Sequence, residues 1–171
     1  MDDDQRWESY TYFIKAVIPE AEKAGVRMAL HPDDPPISPI GGEAYIFREV
    51  AAFERALRIV SSPSHGLLFC QGCFTEMLGR DVLSAIRRLG KTRKVFYVHF
   101  RNVVGALPRF REAFIDNGDV HMFEAMKTWR DVGYDGPMMP DHYPHVVGDT
   151  PYGHRARAHA IGYMKALMTA V

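Results

Sequence analysis

The sequence is poor in cysteine, since Cys70 and Cys73 are the only two among its 171 residues. Small secreted domains that depend on disulfides need more, so that class is excluded. The sequence also has no excess of one charge, because 21 Lys and Arg face 21 Asp and Glu. Nucleic acids and anionic membranes attract proteins with a basic surplus, so we expect neither as a partner.

Long apolar runs are missing as well. No stretch approaches the roughly 18 consecutive apolar residues of a membrane span. The first residues are acidic and polar, without the basic start and apolar centre of a signal peptide. We therefore expect a cytoplasmic protein with no membrane partner. With 47% hydrophobic and 25% charged residues, the composition is typical of a globular domain and excludes disordered, collagen-like and coiled-coil chains.

The sequence alternates segments of helical periodicity with short apolar runs. The periodicity predicts helices over 4–23, 43–60, 80–89, 120–132 and 153–168. The apolar runs predict strands over 26–30, 66–69, 94–98 and 137–140, with a long loop over 99–118. Gly25, Gly90 and Gly133 are predicted to end helices, and Pro19 allows a kink or break in the first.

This alternation predicts an α/β fold. Strands separated by helices pair in parallel through right-handed crossovers. Strands that are almost wholly apolar fit a parallel sheet covered by helices. Two architectures satisfy the pattern: an open doubly wound sheet, or part of a (βα)8 barrel.

A residue that can bind a metal ion directly follows every predicted strand, and these residues are His31, Cys70, His99 and Asp141. Active sites of parallel α/β folds lie at the C-terminal ends of the strands, where neighbouring strands bring such side chains together. Two imidazoles, a thiolate and a carboxylate suit a divalent transition metal, and the residue types leave zinc, Mn²⁺ and Fe²⁺ open.

Alternation along the third strand supports this site. His99 and Arg101 share one face, which would point to a barrel interior, whereas Val98 and Phe100 share the face that would pack on helices. Taken singly, a histidine, cysteine or aspartate at a strand end is more often a packing or capping residue. Four at equivalent positions favour a metal site. Cys70 and Cys73 also have the spacing of a thioredoxin-type redox pair, which is a weaker alternative.

Several segments resemble the mannonate dehydratase family. They are residues 25–36 with His-Pro-Asp-Asp-Pro-Pro, 69–72, 98–103 with His-Phe-Arg-Asn, 140–142 and 160–165. The resemblance runs through nearly the whole chain. It implies a TIM barrel related to xylose isomerase that dehydrates D-mannonate to 2-keto-3-deoxy-D-gluconate with Mn²⁺ or Fe²⁺, in hexuronate catabolism. It also implies that the metal ligands are His31, Cys70, His99 and Asp141.

The resemblance assigns further roles near the predicted metal. His142 matches the catalytic histidine of the family, as base or acid. Tyr152 matches a functional tyrosine before the last helix, with Tyr163 as an alternative. Independently of the resemblance, strand alternation points Arg101 inward, where it is expected to pair the substrate carboxylate bidentately, against the alternative of a structural ion pair.

Three more residues are expected around the metal ligands. A ligating imidazole needs its second nitrogen held, and Asp33 or Asp34 is expected to do this for His31. Asn102, in the His-Phe-Arg-Asn segment, is expected beside the ligands as well.

The length limits the fold, because a full (βα)8 barrel needs about 250 residues and only four βα units are recognisable here. We therefore expect residues 1–171 to form one partial domain, the C-terminal half of a barrel without its N-terminal half. Its uncovered edges predict a homo-oligomer or a need for the missing half. The alternatives to a dehydratase are a non-catalytic metal-binding remnant and a xylose-isomerase-like sugar isomerase.

Overall fold

The computed structural model describes all residues, 1–171. Its helices and strands are α1 (Asp3–Lys23), β1 (Met28–Leu30), α2 (Val50–Ile59), β2 (His65–Cys70), α3 (Gln71–Leu78), α4 (Val82–Gly90), β3 (Val95–His99), β4 (Asn102–Ala106), β5 (Arg109–Ala113), α5 (Met122–Asp131), β6 (Met138–Met139) and α6 (His154–Ala170). A short 3-10 turn, Gly79–Asp81, joins α3 to α4. None of the helices is both long and apolar enough to cross a membrane.

The main sheet has four strands in the order β1-β2-β3-β6, and all neighbours are parallel. This order confirms the predicted α/β fold of four parallel strands alternating with helices. In register, Cys70 lies beside His99, and His99 lies beside Met139. The C-terminal ends of the strands therefore meet at one edge of the sheet.

The core lies between one face of this sheet and the helices. Phe69 stacks on Phe74 with ring centroids 4.1 Å apart and meets Trp129 edge-on at 5.0 Å. Val98 and Phe100 are fully buried in the same core. His99, on the other face of β3, is only partly buried, as the predicted alternation requires.

Glycines end two of the helices as predicted. Gly25 has φ +66°, its N–H bonds the Glu22 carbonyl at 3.0 Å, and the next N–H, of Val26, bonds the Ala21 carbonyl at 2.8 Å. This is the Schellman arrangement, which needs a left-handed residue after the helix. Gly133, with φ +73°, ends α5 in the same way.

The prediction for Gly90 is right about where the helix ends but wrong about a left-handed glycine cap. Gly90 is the last residue of α4, and it lacks a positive φ. A Cβ atom at this position would lie 2.7 Å from Val132. The glycine therefore permits close packing of α4 against the end of α5. Pro19 does not break α1, which is continuous from Asp3 to Lys23.

The predicted second helix begins only at Val50, seven residues later than expected. Phe47 instead exchanges two hydrogen bonds with Asp33: its N–H donates to the carboxylate at 2.7 Å, and its carbonyl accepts from the Asp33 N–H at 3.0 Å. The Ala44 carbonyl accepts from Arg6 Nε at 3.1 Å. These bonds to distant residues use backbone groups that a helix would have paired internally.

Three elements were not predicted: helix α3 and the two strands of a hairpin. Helix α3 has residues 71–76 all buried, so it lacks the polar face that produces helical periodicity. The predicted loop over 99–118 contains an antiparallel hairpin, β4–β5, which pairs from Asn102 with Ala113 to Ala106 with Arg109. This hairpin lies directly after the third sheet strand, at the edge where the predicted ligands meet.

Candidate metal centre

Three of the predicted metal ligands come together at the C-terminal edge of the sheet. His31 follows β1, Cys70 ends β2 and His99 ends β3. Their ligand atoms all lie within 4.8 Å of one another. The two imidazole rings have centroids 5.3 Å apart. Parallel pairing thus gathers residues far apart in the sequence at one point.

Asp141, two residues after β6, completes the group. Its Oδ2 lies 3.1 Å from His99 Nδ1 and 3.9 Å from Cys70 Sγ. Its φ of +59° is uncommon for a residue with a side chain, and such strained conformations concentrate at functional sites. We call His31, Cys70, His99 and Asp141 the ligand cluster.

The ligand cluster favours a thiolate. Burial alone would raise the pKa of Cys70, but hydrogen bonds with Cys73, His31 and His99 and the charge of Arg101 hold that pKa well below its usual range. Burial opposes the charge on His99, yet the neighbouring Asp141 and Cys70 side chains raise its pKa to about 9. A thiolate is the form of cysteine that binds metals.

The residues present fit a divalent cation. His99 Nδ1 is buried and makes no hydrogen bond of good geometry. His31 Nδ1 donates to the Pro32 carbonyl at 2.6 Å, which leaves its Nε2 free of a proton for ligation. Two nitrogens, one sulfur and one carboxylate oxygen are the donors that borderline transition metals accept.

The prediction that Asp33 or Asp34 holds His31 is wrong. The Pro32 carbonyl takes that place, 2.6 Å from His31 Nδ1. Asp33 is occupied with the Phe47 backbone instead. The carboxylate of Asp34 lies 2.8 Å from Arg101.

Arg101 lies beside the ligand cluster at the centre of a second group. Its guanidinium lies 2.9 Å from Glu76, 2.7 Å from Glu112 and 3.4 Å from Cys73 Sγ, besides Asp34. We call Asp34, Cys73, Glu76, Arg101 and Glu112 the arginine cluster. Arg101 Nε also lies 3.4 Å from Asp141 Oδ2, and this contact connects the arginine cluster to the ligand cluster.

This placement argues against the predicted contact between Arg101 and a substrate carboxylate. Its side chain is 0% exposed, and every terminal nitrogen already faces a carboxylate. The structural ion pair, the alternative considered for this residue, describes it better. Cys73, the second cysteine of the CxxC motif, is part of the same ion-pair group, and neither cysteine forms a disulfide.

Sequence reasoning missed Glu76 and Glu112. Glu76 is completely buried on α3, and burial raises its pKa to about 7 against the opposing charge of Arg101. One signal was available: an inward arginine on a buried strand needs carboxylate partners, because an unpaired buried charge is very costly.

His142 lies next to the ligand cluster. Its Nδ1 donates to Glu112 Oε1 at 3.1 Å, and its Nε2 is 3.8 Å from Asp141 Oδ2. The hydrogen bond to Glu112 is the main reason that the pKa of His142 is raised. The ring is half-exposed, so a reactant could reach it.

Three predicted residues lie away from this arrangement. Tyr152 is 61% exposed, and its ring packs under Arg157 before α6. Tyr163 packs against the core. Asn102 is fully buried, and its amide bonds the carbonyls of Ile115 and Val120 at 3.0 Å each. Asn102 therefore anchors the hairpin, and none of its hydrogen bonds reaches the ligand residues.

The whole chain is similar in sequence to known proteins. A family profile described as D-mannonate dehydratase (UxuA) matches residues 1–171. The mannonate dehydratase of Streptococcus agalactiae serotype Ia is 38% identical over 177 residues, covering 100% of this chain and 51% of that protein. Mannonate dehydratase 2 of Halalkalibacterium halodurans is 34% identical, covering 99% and 50%. The chain thus spans about half the length of the curated relatives it matches.

Solved structures extend the comparison to the fold. The mannonate dehydratase from Streptococcus suis serotype 2 superposes with a TM-score of 0.92 at 34% identity, over 99% of this chain and 50% of that one. A xylose isomerase domain protein from Planctomyces limnophilus gives a TM-score of 0.73 at 16% identity, over 96% and 55%, which concerns the fold alone. These likenesses confirm the prediction of a partial TIM barrel. Because the family profile covers every residue, this chain belongs to the D-mannonate dehydratase family.

Proposed function

We propose that this chain carries the metal-binding part of a lyase that dehydrates D-mannonate to 2-keto-3-deoxy-D-gluconate. The observation that carries the proposal is the convergence of the ligand cluster at the ends of four adjacent parallel strands, in a member of this family. The fold alone would not be sufficient, because TIM barrels support many chemistries.

The ligand cluster would hold Mn²⁺ or Fe²⁺, with His31 binding through Nε2 and Cys70 through its thiolate. When bound, the metal would supply Lewis-acid stabilisation of negative charge on the substrate oxygens. The arginine cluster stabilises the ligand cluster in its charged state. Arg101 approaches Asp141 and favours the charged form of Cys70.

The chain's own proton-transfer group is His142. The dehydration removes a proton from the carbon next to the carboxylate and a hydroxyl from the following carbon, and the enol that results becomes the ketone. Nε2 of His142 faces Asp141 and is the atom placed to take or return a proton. We keep Tyr152 as a catalytic residue on the family resemblance, which requires its exposed loop to approach the cluster.

We also propose that residues 1–171 form one partial domain whose outer strands pair with further βα units. Strands β1 and β6 are the two edges of the sheet, and unpaired edges of parallel sheets are normally covered. A second copy of the chain or an N-terminal barrel half would supply them. Light scattering during gel filtration distinguishes a dimer from a monomer. The cytoplasmic location stays a prediction.

The test is turnover of D-mannonate by the purified chain loaded with Mn²⁺, and separately with an added N-terminal half of a relative. Formation of a 2-keto acid, lost in His31→Ala and Asp141→Ala but kept in His159→Ala, supports the proposal. His159 is a half-exposed surface histidine paired with Asp116, which makes it a suitable control.

The other outcomes identify the alternatives. A ketose formed without loss of water would indicate a sugar isomerase of the xylose isomerase type. Tight metal binding with no turnover in either arrangement would indicate a non-catalytic metal-binding remnant. Either result contradicts the proposed dehydratase.

A further inference from the structure

We propose that Glu112 is a positioning residue that fixes the tautomer and direction of the His142 ring, so that Nε2 is the proton-transfer atom. Its Oε1 accepts from His142 Nδ1 at 3.1 Å and from an Arg101 terminal nitrogen at 2.7 Å. This inference rests on the proposed function, since it concerns the residue that is proposed to transfer the proton.

Strand alternation turns Glu112 toward the site. On β5, Arg109 and Arg111 are exposed, whereas Phe110 and Glu112 are half-buried. Glu112 lies opposite Val103, a fully buried residue of β4. The carboxylate therefore projects from the inner face of the hairpin.

The hairpin is held firmly enough to position a side chain. At its base, the Asn102 amide bonds the carbonyls of Ile115 and Val120. Near its tip, the Leu107 N–H donates to the Glu76 carbonyl of α3 at 2.9 Å. Between these two contacts, Arg101 forms an ion pair with the Glu112 carboxylate. A carboxylate on a hairpin anchored at these points can hold a neighbouring side chain in place.

His142 is the partner that Glu112 holds. It is half-exposed and has no neighbour other than Glu112 and Asp141 within ion-pair distance. A carboxylate accepts only, so the bond to Glu112 requires a proton on Nδ1. In the neutral ring the lone pair then lies on Nε2, which faces Asp141 and the ligand cluster. Without Glu112, both tautomers and several ring orientations become available.

The experiment compares Glu112→Leu, which removes the acceptor, with Glu112→Gln, which keeps an acceptor oxygen. Glu124→Gln is the matched control, because Glu124 is exposed on α5 and its side chain makes no hydrogen bond. Long-range proton–nitrogen NMR in alkaline buffer reports the tautomer of His142, whose signals are assigned with His142→Ala. This measurement needs neither metal nor substrate.

We expect the Nδ1–H tautomer in the wild type, in Glu124→Gln and in Glu112→Gln, and a mixture of tautomers in Glu112→Leu. In turnover assays, Glu112→Leu should lower kcat about 100-fold with little change in KM, as misplacement of a catalytic group by about 1 Å does. In a His142→Ala background the same substitution should have no further effect on kcat.

The results separate the inference from the proposed function. An unchanged His142 tautomer in Glu112→Leu overturns the inference, whatever the turnover shows. If the tautomer responds as expected but the wild type does not dehydrate D-mannonate, the proposed function fails while Glu112 keeps its positioning role. A loss of kcat that persists in the His142→Ala background also overturns the inference.

Discussion

Replacing Arg101 with methionine tests whether the arginine cluster is structural. The substitution keeps an unbranched apolar stem and removes a guanidinium that is 0% exposed. It leaves the Glu76 carboxylate, itself 0% exposed, without a cation, whereas Asp34 and Glu112 retain some contact with water. Breaking a buried pair by removing one partner costs about 3–5 kcal/mol. We expect a loss of that size in the free energy of unfolding.

The assay is urea denaturation followed by circular dichroism at neutral pH. A second variant, Arg101→Met/Glu76→Met, removes both buried charges and should recover most of the loss, because buried ion pairs replaced by apolar residues are often neutral in stability. A loss below about 1 kcal/mol in Arg101→Met, the size of a surface pair, would refute the reasoning. So would a double variant less stable than the single one.

Two further outcomes follow from the same cluster. Gly72→Ala places a Cβ atom against the Arg101 guanidinium, so it should destabilise the chain by about 1–3 kcal/mol; Gly162→Ala on α6, where nothing lies within 4 Å, should stabilise it by up to about 1 kcal/mol. Equal effects of the two in urea denaturation would contradict the close approach at Gly72. Glu76 should bind a proton more tightly in the folded than in the unfolded chain, since its pKa is raised from 4.5 to about 7. The unfolding free energy of the wild type, relative to Glu76→Gln, should therefore fall as pH rises from about 4.5 to about 7, and a difference that rises or stays flat would contradict the assignment.

The sequence was most informative about the sheet. Short apolar strands between periodic segments predicted four parallel strands, and each was directly followed by a residue of the ligand cluster. Such residues are recognisable because their position depends only on where a strand ends. The helix ends at Gly25 and Gly133 could also be predicted from the sequence, because the need for a left-handed residue after a helix is local.

The failures involve contacts between distant residues. Ala44 and Phe47 satisfy backbone groups with Arg6 and Asp33, which no local pattern reveals. Residues 71–78 form a helix buried on every side, so periodicity could not indicate it. The exact partners of Arg101 lie on α3, on the hairpin and after β1, and only the fold brings them together.

The central claim is that the ligand cluster is one metal site that includes the Cys70 thiolate. Cobalt is a spectroscopic stand-in for Mn²⁺ or Fe²⁺, and its titration into the purified chain provides the most direct measurement. We expect a thiolate-to-cobalt charge-transfer band with one Co²⁺ per chain, abolished in Cys70→Ala and present in Cys73→Ala. No band in the wild type, or a band that survives Cys70→Ala and disappears in Cys73→Ala, would contradict it.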